Sequence, residues 1–143
     1  MAQAEITTPT TRHSLRDDGL LLSEALPGAG QTLADAQESV AAYGALNGGR
    51  RRPLLVDLRA AGKPMDRAAR EYYAGPELAL VVSAAALLIT SPVGRVIGTF
   101  FLRLSRTATP IRMFTDEGEA LTWLHSYQDR PPAADAPADG PGH

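Results

Sequence analysis

The stretch ALLITSPVGRVIGTFFLRLSR, residues 86–106, is mostly apolar, but Ser91-Pro92, Gly94 and Arg95 interrupt it. A membrane span needs roughly 20 apolar residues without a break. Here Ser91-Pro92 divides the run, and Arg95 and Arg103 follow. A Walker-type phosphate loop needs four residues between its glycines and a Gly-Lys-Ser/Thr end. Gly94 and Gly98 are separated by three residues, and no lysine follows them. What remains is a buried strand over 83–90, a tight turn, and a helix over 92–104. Ser91 is suited to cap that helix and Pro92 to its first position. Val93, Val96, Ile97, Phe100, Phe101 and Leu104 recur at helical spacing and form one apolar face. Gly94 and Gly98 share a helix face, which admits two accounts. Either they let the helix press closely on a neighbour, or the helix start (the amides of Val93 and Gly94, the Ser91 hydroxyl and Arg95) holds an anion.

The same units recur on either side. Leu54, Leu55, Val56 and Leu58 form a short apolar run after Pro53, as expected of a buried strand. A helix over 65–74 follows, with Asp66 at its start, where an acidic group favours the helix dipole, and Gly75-Pro76 as its stop. PELALVV adds a further short helical piece. Downstream, TPIRMF reads as a third strand. TDEGEALTWLHSYQ reads as a helix with Thr115 as its cap and Ala120, Leu121, Trp123, Leu124 and Tyr127 on its apolar side. Upstream, RHSLRDDGLLLSEAL predicts a hairpin with strands over 12–16 and 20–26. Its turn, Asp17-Asp18-Gly19, supplies the positive φ that tight hairpins need. TLADAQESVAAYGAL predicts a helix capped by Thr32, with Leu33, Ala36, Val40, Tyr43 and Leu46 along its apolar stripe. Asn47 or Gly48 is suited to end it in a left-handed conformation.

The order is therefore hairpin, helix, then strand–helix three times. The fold class is α/β: one small domain with a mixed sheet of about five strands and four to five helices. At 143 residues, 44% hydrophobic and 21% charged, the chain is long enough for one sizeable core. Residues 1–11 are expected to be a flexible segment, 12–129 the domain, and 130–143, rich in Pro, Ala and Asp, a disordered tail. A net charge of −2 argues against a chain built to coat nucleic acid. With no cysteine there is no disulfide, thiolate metal site or cysteine nucleophile. The three histidines, His13, His125 and His143, show no metal-type spacing. His125 is expected on an exposed helix face, and the other two near the termini. The start lacks a basic region followed by an apolar one, which predicts cytoplasmic residence. Thirteen of the 14 basic residues are Arg, a composition bias that lowers the information in any one surface Arg. Arg50-Arg51-Arg52 is read as a solvated loop.

The segments LLVDLRAAGKPMDRAAREYYA, AALLITSPVGRVIGTFFLRLSR and PIRMFTDEGEALTWL carry a resemblance to the STAS domain, the anti-sigma-factor-antagonist fold. The chain is similar in particular to a bacterial group of STAS-like or CRAL-TRIO-like domain proteins. In anti-sigma antagonists, a serine at the start of the helix after a central strand is phosphorylated by the partner kinase. That modification changes partner binding through charge. The corresponding stretch here is KPMDRAAR, and Asp66 stands at or beside the position of the hydroxyl. No Ser, Thr or Tyr lies between 57 and 71, so the resemblance does not extend to a phosphoswitch. Asp66 either imitates the charged state or simply caps a helix.

Ligands of parallel sheets gather at the carboxyl ends of the strands. Asp57, Lys63, Asp66, Arg67, Arg70, Ser91, Gly94 and Arg95 are placed at or near that edge and form the candidate site. The set contains carboxylates but no nucleophile–base couple, which points away from an enzyme. No metal or cofactor is expected. A regulatory or scaffold module is expected, binding a protein partner through the starts of the helices at 65–74 and 92–104. The alternative is a domain for a small anionic ligand or a lipid at the same sheet edge. An exposed strand at 12–26 would also allow a homodimer.

Overall fold

The computed structural model describes residues 5–103 and 107–128, and the side chains of all of these except 100–103. Among the described residues, six strands form one sheet whose spatial order follows the chain. They are β1 (Glu5–Thr7), β2 (Thr11–Leu15), β3 (Leu21–Ala25), β4 (Arg52–Asp57), β5 (Val82–Leu88) and β6 (Ile111–Phe114). The helices are α1 (Leu33–Leu46), α2 (Arg67–Ala74), α3 (Pro76–Ala79), α4 (Pro92–Arg103) and α5 (Glu117–Gln128). β1, β2 and β3 run antiparallel, and β3 to β6 are parallel. The mixed α/β sheet expected from the strand–helix units is present, with one strand more than the five expected.

The extra strand is β1. Glu5, Ile6 and Thr7 pair with Ser14, His13 and Arg12, so part of the segment expected to be flexible is a strand. At three residues, only one of them apolar, it has no alternation to announce it. It also moves the sheet edge, because the hairpin at 12–26 is flanked by β1 and β4 and offers no free edge to a second copy. The hairpin turn is as expected, with Gly19 at φ +89°.

Successive parallel strands advancing in one direction, joined by right-handed crossovers, put the connecting helices on one face of the sheet. Leu21, Leu54, Val82 and Ala85 accordingly pack with Val40, Tyr43 and Leu46 of α1 and Leu78 of α3. Leu87 and Ile89 pack with Ile97 of α4. The opposite face, with Leu55, Ala86 and Leu88, is covered by Ala120 and Leu124 of α5. Alternation along β4 therefore sends Leu54 and Leu55 into different layers. Pro53 lies inside β4 instead of bounding it, at a register shift against β5. Such an irregularity is where a residue without an N–H fits a sheet interior.

The helix ends are set by short-range chemistry. Thr32 and Asp35 form a reciprocal capping box at the start of α1. Asn47 at its end keeps a right-handed conformation, and the chain turns over Gly48 at φ +69°. Leu33, expected on the stripe, is exposed, while Ser39 and Ala42 are buried. α5 is capped by Asp116, whose Oδ2 accepts from the Glu119 amide at 2.9 Å, and not by Thr115. Arg52 is not part of a solvated loop. It belongs to β4 and donates to the Asn47 and Gly19 carbonyls at 2.7 and 3.1 Å, joining the end of α1 to the hairpin turn. His125 also has a partner, because its Nε2 lies 3.1 Å from Asp18 Oδ2 and ties α5 to the same turn.

No helix among the described residues is long and apolar enough to cross a membrane. In α4, Val93 and Ile97 face the core as expected, but Val96 is 55% exposed. The side chains of Phe100 and Phe101, Leu104, and the predicted tail over 130–143 lie outside the described residues.

Candidate functional site

The carboxyl ends of β3, β4, β5 and β6 deliver four connections to one edge of the sheet. Two of these connections, over 26–31 and 58–66, are joined by backbone hydrogen bonds. The Gly28 amide donates to Ala60 O at 3.1 Å, Gly62 to Ala29 O at 3.2 Å, and Asp66 to Gln31 O at 2.9 Å. The approach requires glycine, because a Cβ on Gly62 would run into the Gly28 backbone. Gly62→Ala is expected to cost about 1–3 kcal/mol through overpacking. Gly44→Ala on the exposed side of α1, where a Cβ meets only Val81 at 3.5 Å, should gain about 0.5–1 kcal/mol. Urea denaturation of both variants checks the contrast. A loss of less than 0.5 kcal/mol (roughly the surface-mutation range) for Gly62→Ala would show that the two connections yield freely.

Asp57 ends β4, and its carboxylate is held locally. Arg59 donates from Nε to Oδ1 at 3.0 Å and from Nη2 to Oδ2 at 2.8 Å, and the Arg59 amide adds a third bond to Oδ1 at 3.0 Å. Burial works to raise the Asp57 pKa, but the Arg59 side chain, amide and charge outweigh it and hold the pKa below the ordinary carboxylate value. Arg59 also lies 3.6 Å from Glu117. Both Asp57 oxygens are thus engaged by Arg59.

Asp66 stands at the N-cap of α2 with an extended backbone, yet its side chain makes no capping hydrogen bond. The simple capping role weighed for it is absent, and its carboxylate is exposed. Arg67 pairs with Glu71 one turn on at 2.9 Å, an exposed contact of small energetic worth. Arg70 is half-buried on the same helix. Lys63 is exposed in the 58–66 connection.

Ser91 caps α4, its Oγ accepting from the Gly94 amide at 3.0 Å. That bond takes one of the amides offered for an anion. Gly94 is buried, and a Cβ there would lie 3.1 Å from Ile89 Cγ2. Gly98 sits against Met113 in the same way. The two glycines therefore serve close packing of α4 on β5 and β6. Arg95 remains exposed beside Val96.

A cluster missed by sequence reasoning lies behind this edge. His13, expected near a loose terminus, is fully buried on β2. Its Nδ1 is 2.8 Å from Ser23 Oγ, which in turn lies 2.6 Å from the Tyr43 hydroxyl. The His13 and Tyr43 rings meet edge to face at 5.2 Å. Burial lowers the His13 pKa to about 4, so the ring is neutral, and pushes Tyr43 up to about 12 against the opposing Ser23 bond. Next to them the Tyr73 hydroxyl donates to Gln31 Oε1, and Gln31 Nε2 donates to Thr11 Oγ1 at 3.1 Å. Period-2 alternation through the hairpin register, which pairs His13 with Ser23, was the available signal. Its polar residues disguised an inward face.

Thr11, Ser23, Gln31, Tyr43 and Tyr73 wall a chamber between the sheet and the α1–α3 layer. Val56, Leu58, Leu87, Ala85 and Ile111 form its apolar side. The space open to the centre of a water-sized molecule is about 60 Å³, and all the space between its walls, counted with its open mouth, is about 560 Å³.

A family model described as a domain of unknown function, DUF7793, matches residues 14–128. No curated protein matches the chain. Among solved structures, the chain is similar to an uncharacterized protein of the DUF3478 family with a SpoIIAA-like fold from Shewanella loihica PV-4. The TM-score is 0.51 at 16% identity, covering 86% of this chain and 92% of that one. A protein of unknown function from Arthrobacter sp. FB24 is 37% identical over 79% of this chain and 97% of that one, with a TM-score of 0.32. The architecture is SpoIIAA-like, the STAS fold whose residues carry the resemblance described above.

Proposed function

The chain belongs to the DUF7793 family, and from its sheet edge we propose that it is a non-enzymatic regulatory or scaffold module binding a protein partner. The binding surface consists of the N-terminal ends of α2 and α4. One observation carries this assignment. Lys63, Asp66 and Arg95 are exposed at the same edge and make no ion pair among the described residues, and Val96, next to Arg95 in the chain, is 55% exposed. Exposed charges of both signs together with an exposed apolar side chain at one edge suit a polar rim with a small apolar centre. Asp66 gives the position a fixed charge of −1, in place of the roughly −1.5 to −2 that a phosphoserine would supply.

Affinity capture from the source cell with the full chain as bait identifies the partner. Asp66→Arg and Arg95→Glu are then expected to weaken that complex at least tenfold, mainly through slower association at low salt. Circular dichroism and thermal midpoints should stay at their wild-type values, since both side chains face solvent. Undiminished partner binding in both variants would place the interaction elsewhere.

A further inference from the structure

The chamber described above continues into a second, shallower hollow at the sheet edge. Thr11, Ala25, Gln31, Leu58 and Met65 line both spaces. The outer hollow, about 280 Å³ with its opening, adds Lys63 and Ile97. Lys63 is the sole lysine of the chain and, among the described residues, the one charged side chain in either lining. Among the described residues it has no acidic partner. Inside the chamber the polar groups are already spent on one another, Ser23 with Tyr43 and Tyr73 with Gln31. The interior therefore asks for an apolar occupant, and the mouth asks for a negative charge.

We propose that this space is a binding site for an apolar monocarboxylic acid, its chain between Val56, Leu58 and Leu87 and its carboxylate at Lys63. Several physical arguments agree. Ligand sites are clefts that are apolar over most of their wall with few polar groups. An apolar cavity of low polarity stays dry and leaves its lining without contacts, so an apolar chain gains what water cannot supply. Along β4 the wall from Leu54 to Leu58 rises about 13 Å at about 3.3 Å per residue, which accommodates an extended chain of about ten carbons. Lysine presents a compact charge on a flexible stem and can follow a carboxylate at a partly open mouth.

Calorimetric titration of the full chain with decanoate, 4-phenylbutyrate and decan-1-ol, each below its aggregation threshold, tests the assignment. Saturable one-to-one binding of decanoate or 4-phenylbutyrate is expected, and the stronger of the two separates an alkyl from an aromatic acid. Lys63→Gln should weaken the acid at least tenfold and leave the alcohol unchanged. Val56→Phe, which fills the chamber, should abolish all binding while circular dichroism keeps its native form. Ala85→Leu does the same if Val56→Phe does not fold. Bound acid should also protect Lys63 from an amine-acylating reagent, read by mass spectrometry. Absence of saturable binding by either acid would overturn the site. So would an unchanged acid-to-alcohol ratio in Lys63→Gln, or normal binding in both filled variants. Lys63 is shared with the protein-partner surface, but Asp66 and Arg95 line neither space, so partner capture with Asp66→Arg and Arg95→Glu tests that surface separately from acid binding.

Discussion

Between pH 6.5 and pH 4 the protein is expected to lose on the order of 3 kcal/mol of stability, and His13 is the cause. Burial lowers its pKa in the folded chain from 6.5 to about 4. Over that window the unfolded chain binds a proton that the folded chain refuses, so stability rises with pH. The contribution is complete above the unfolded value and is lost as pH falls toward the folded one. Asp18 and Asp57 do not confuse the experiment. Their pKa values lie below the ordinary 3.8, so their contributions are lost only at lower pH. His13→Leu keeps the Ser23–Tyr43 hydrogen bond and removes the titrating ring. Its stability, measured by urea denaturation at a series of pH values, should be nearly flat over the window. An acid slope equal to that of the wild type would assign the proton to another group.

Leu55→Ala is expected to cost about 3–5 kcal/mol, at the upper end for a large-to-small core change. Leu55 is 1% exposed and lies in the layer sealed by α5, where Leu20, Leu88 and Leu124 are also buried and surround any space it leaves. Its neighbour Leu54 is equally hidden, at 2%, but borders the open chamber. Leu54→Ala should cost less, about 2–3 kcal/mol, because it enlarges a space whose surroundings are already incompletely packed. Denaturation midpoints of the two variants rank them directly. Equal losses would mean that the chamber wall is packed as tightly as the opposite layer.

How much of this was legible depended on whether a residue's environment was local. The strand–turn–helix at 83–103 was readable because the Ser91 cap, Pro92 and the uninterrupted apolar strand are all encoded within a few residues. The Thr32 cap and the Gly19 turn were readable for the same reason. β1 was not, since three residues on an edge gain their order from pairing with β2 and from nothing in their own pattern. His13 was misplaced because its burial comes from β1, β3 and α1 together, which are distant in sequence. At the candidate site, sequence placed the right segments at one edge. It could not show that Arg59 occupies Asp57 or that Asp66 leaves its carboxylate unused. Those assignments follow from rotamers and loop contacts, and the chamber exists only where five strands and three helices meet.

The placement of α5 has a consequence for biosynthesis. Chains emerge N-terminus first, at about 5–20 residues per second. The sheet and the helices of its first face all precede residues 117–128 in the chain. Until that last stretch leaves the ribosome, Leu20, Leu55 and Leu88 form a greasy, uncovered wall. A nascent chain halted before residue 117 should therefore be a client for holding chaperones, and one released there should precipitate instead of persisting as a shorter domain.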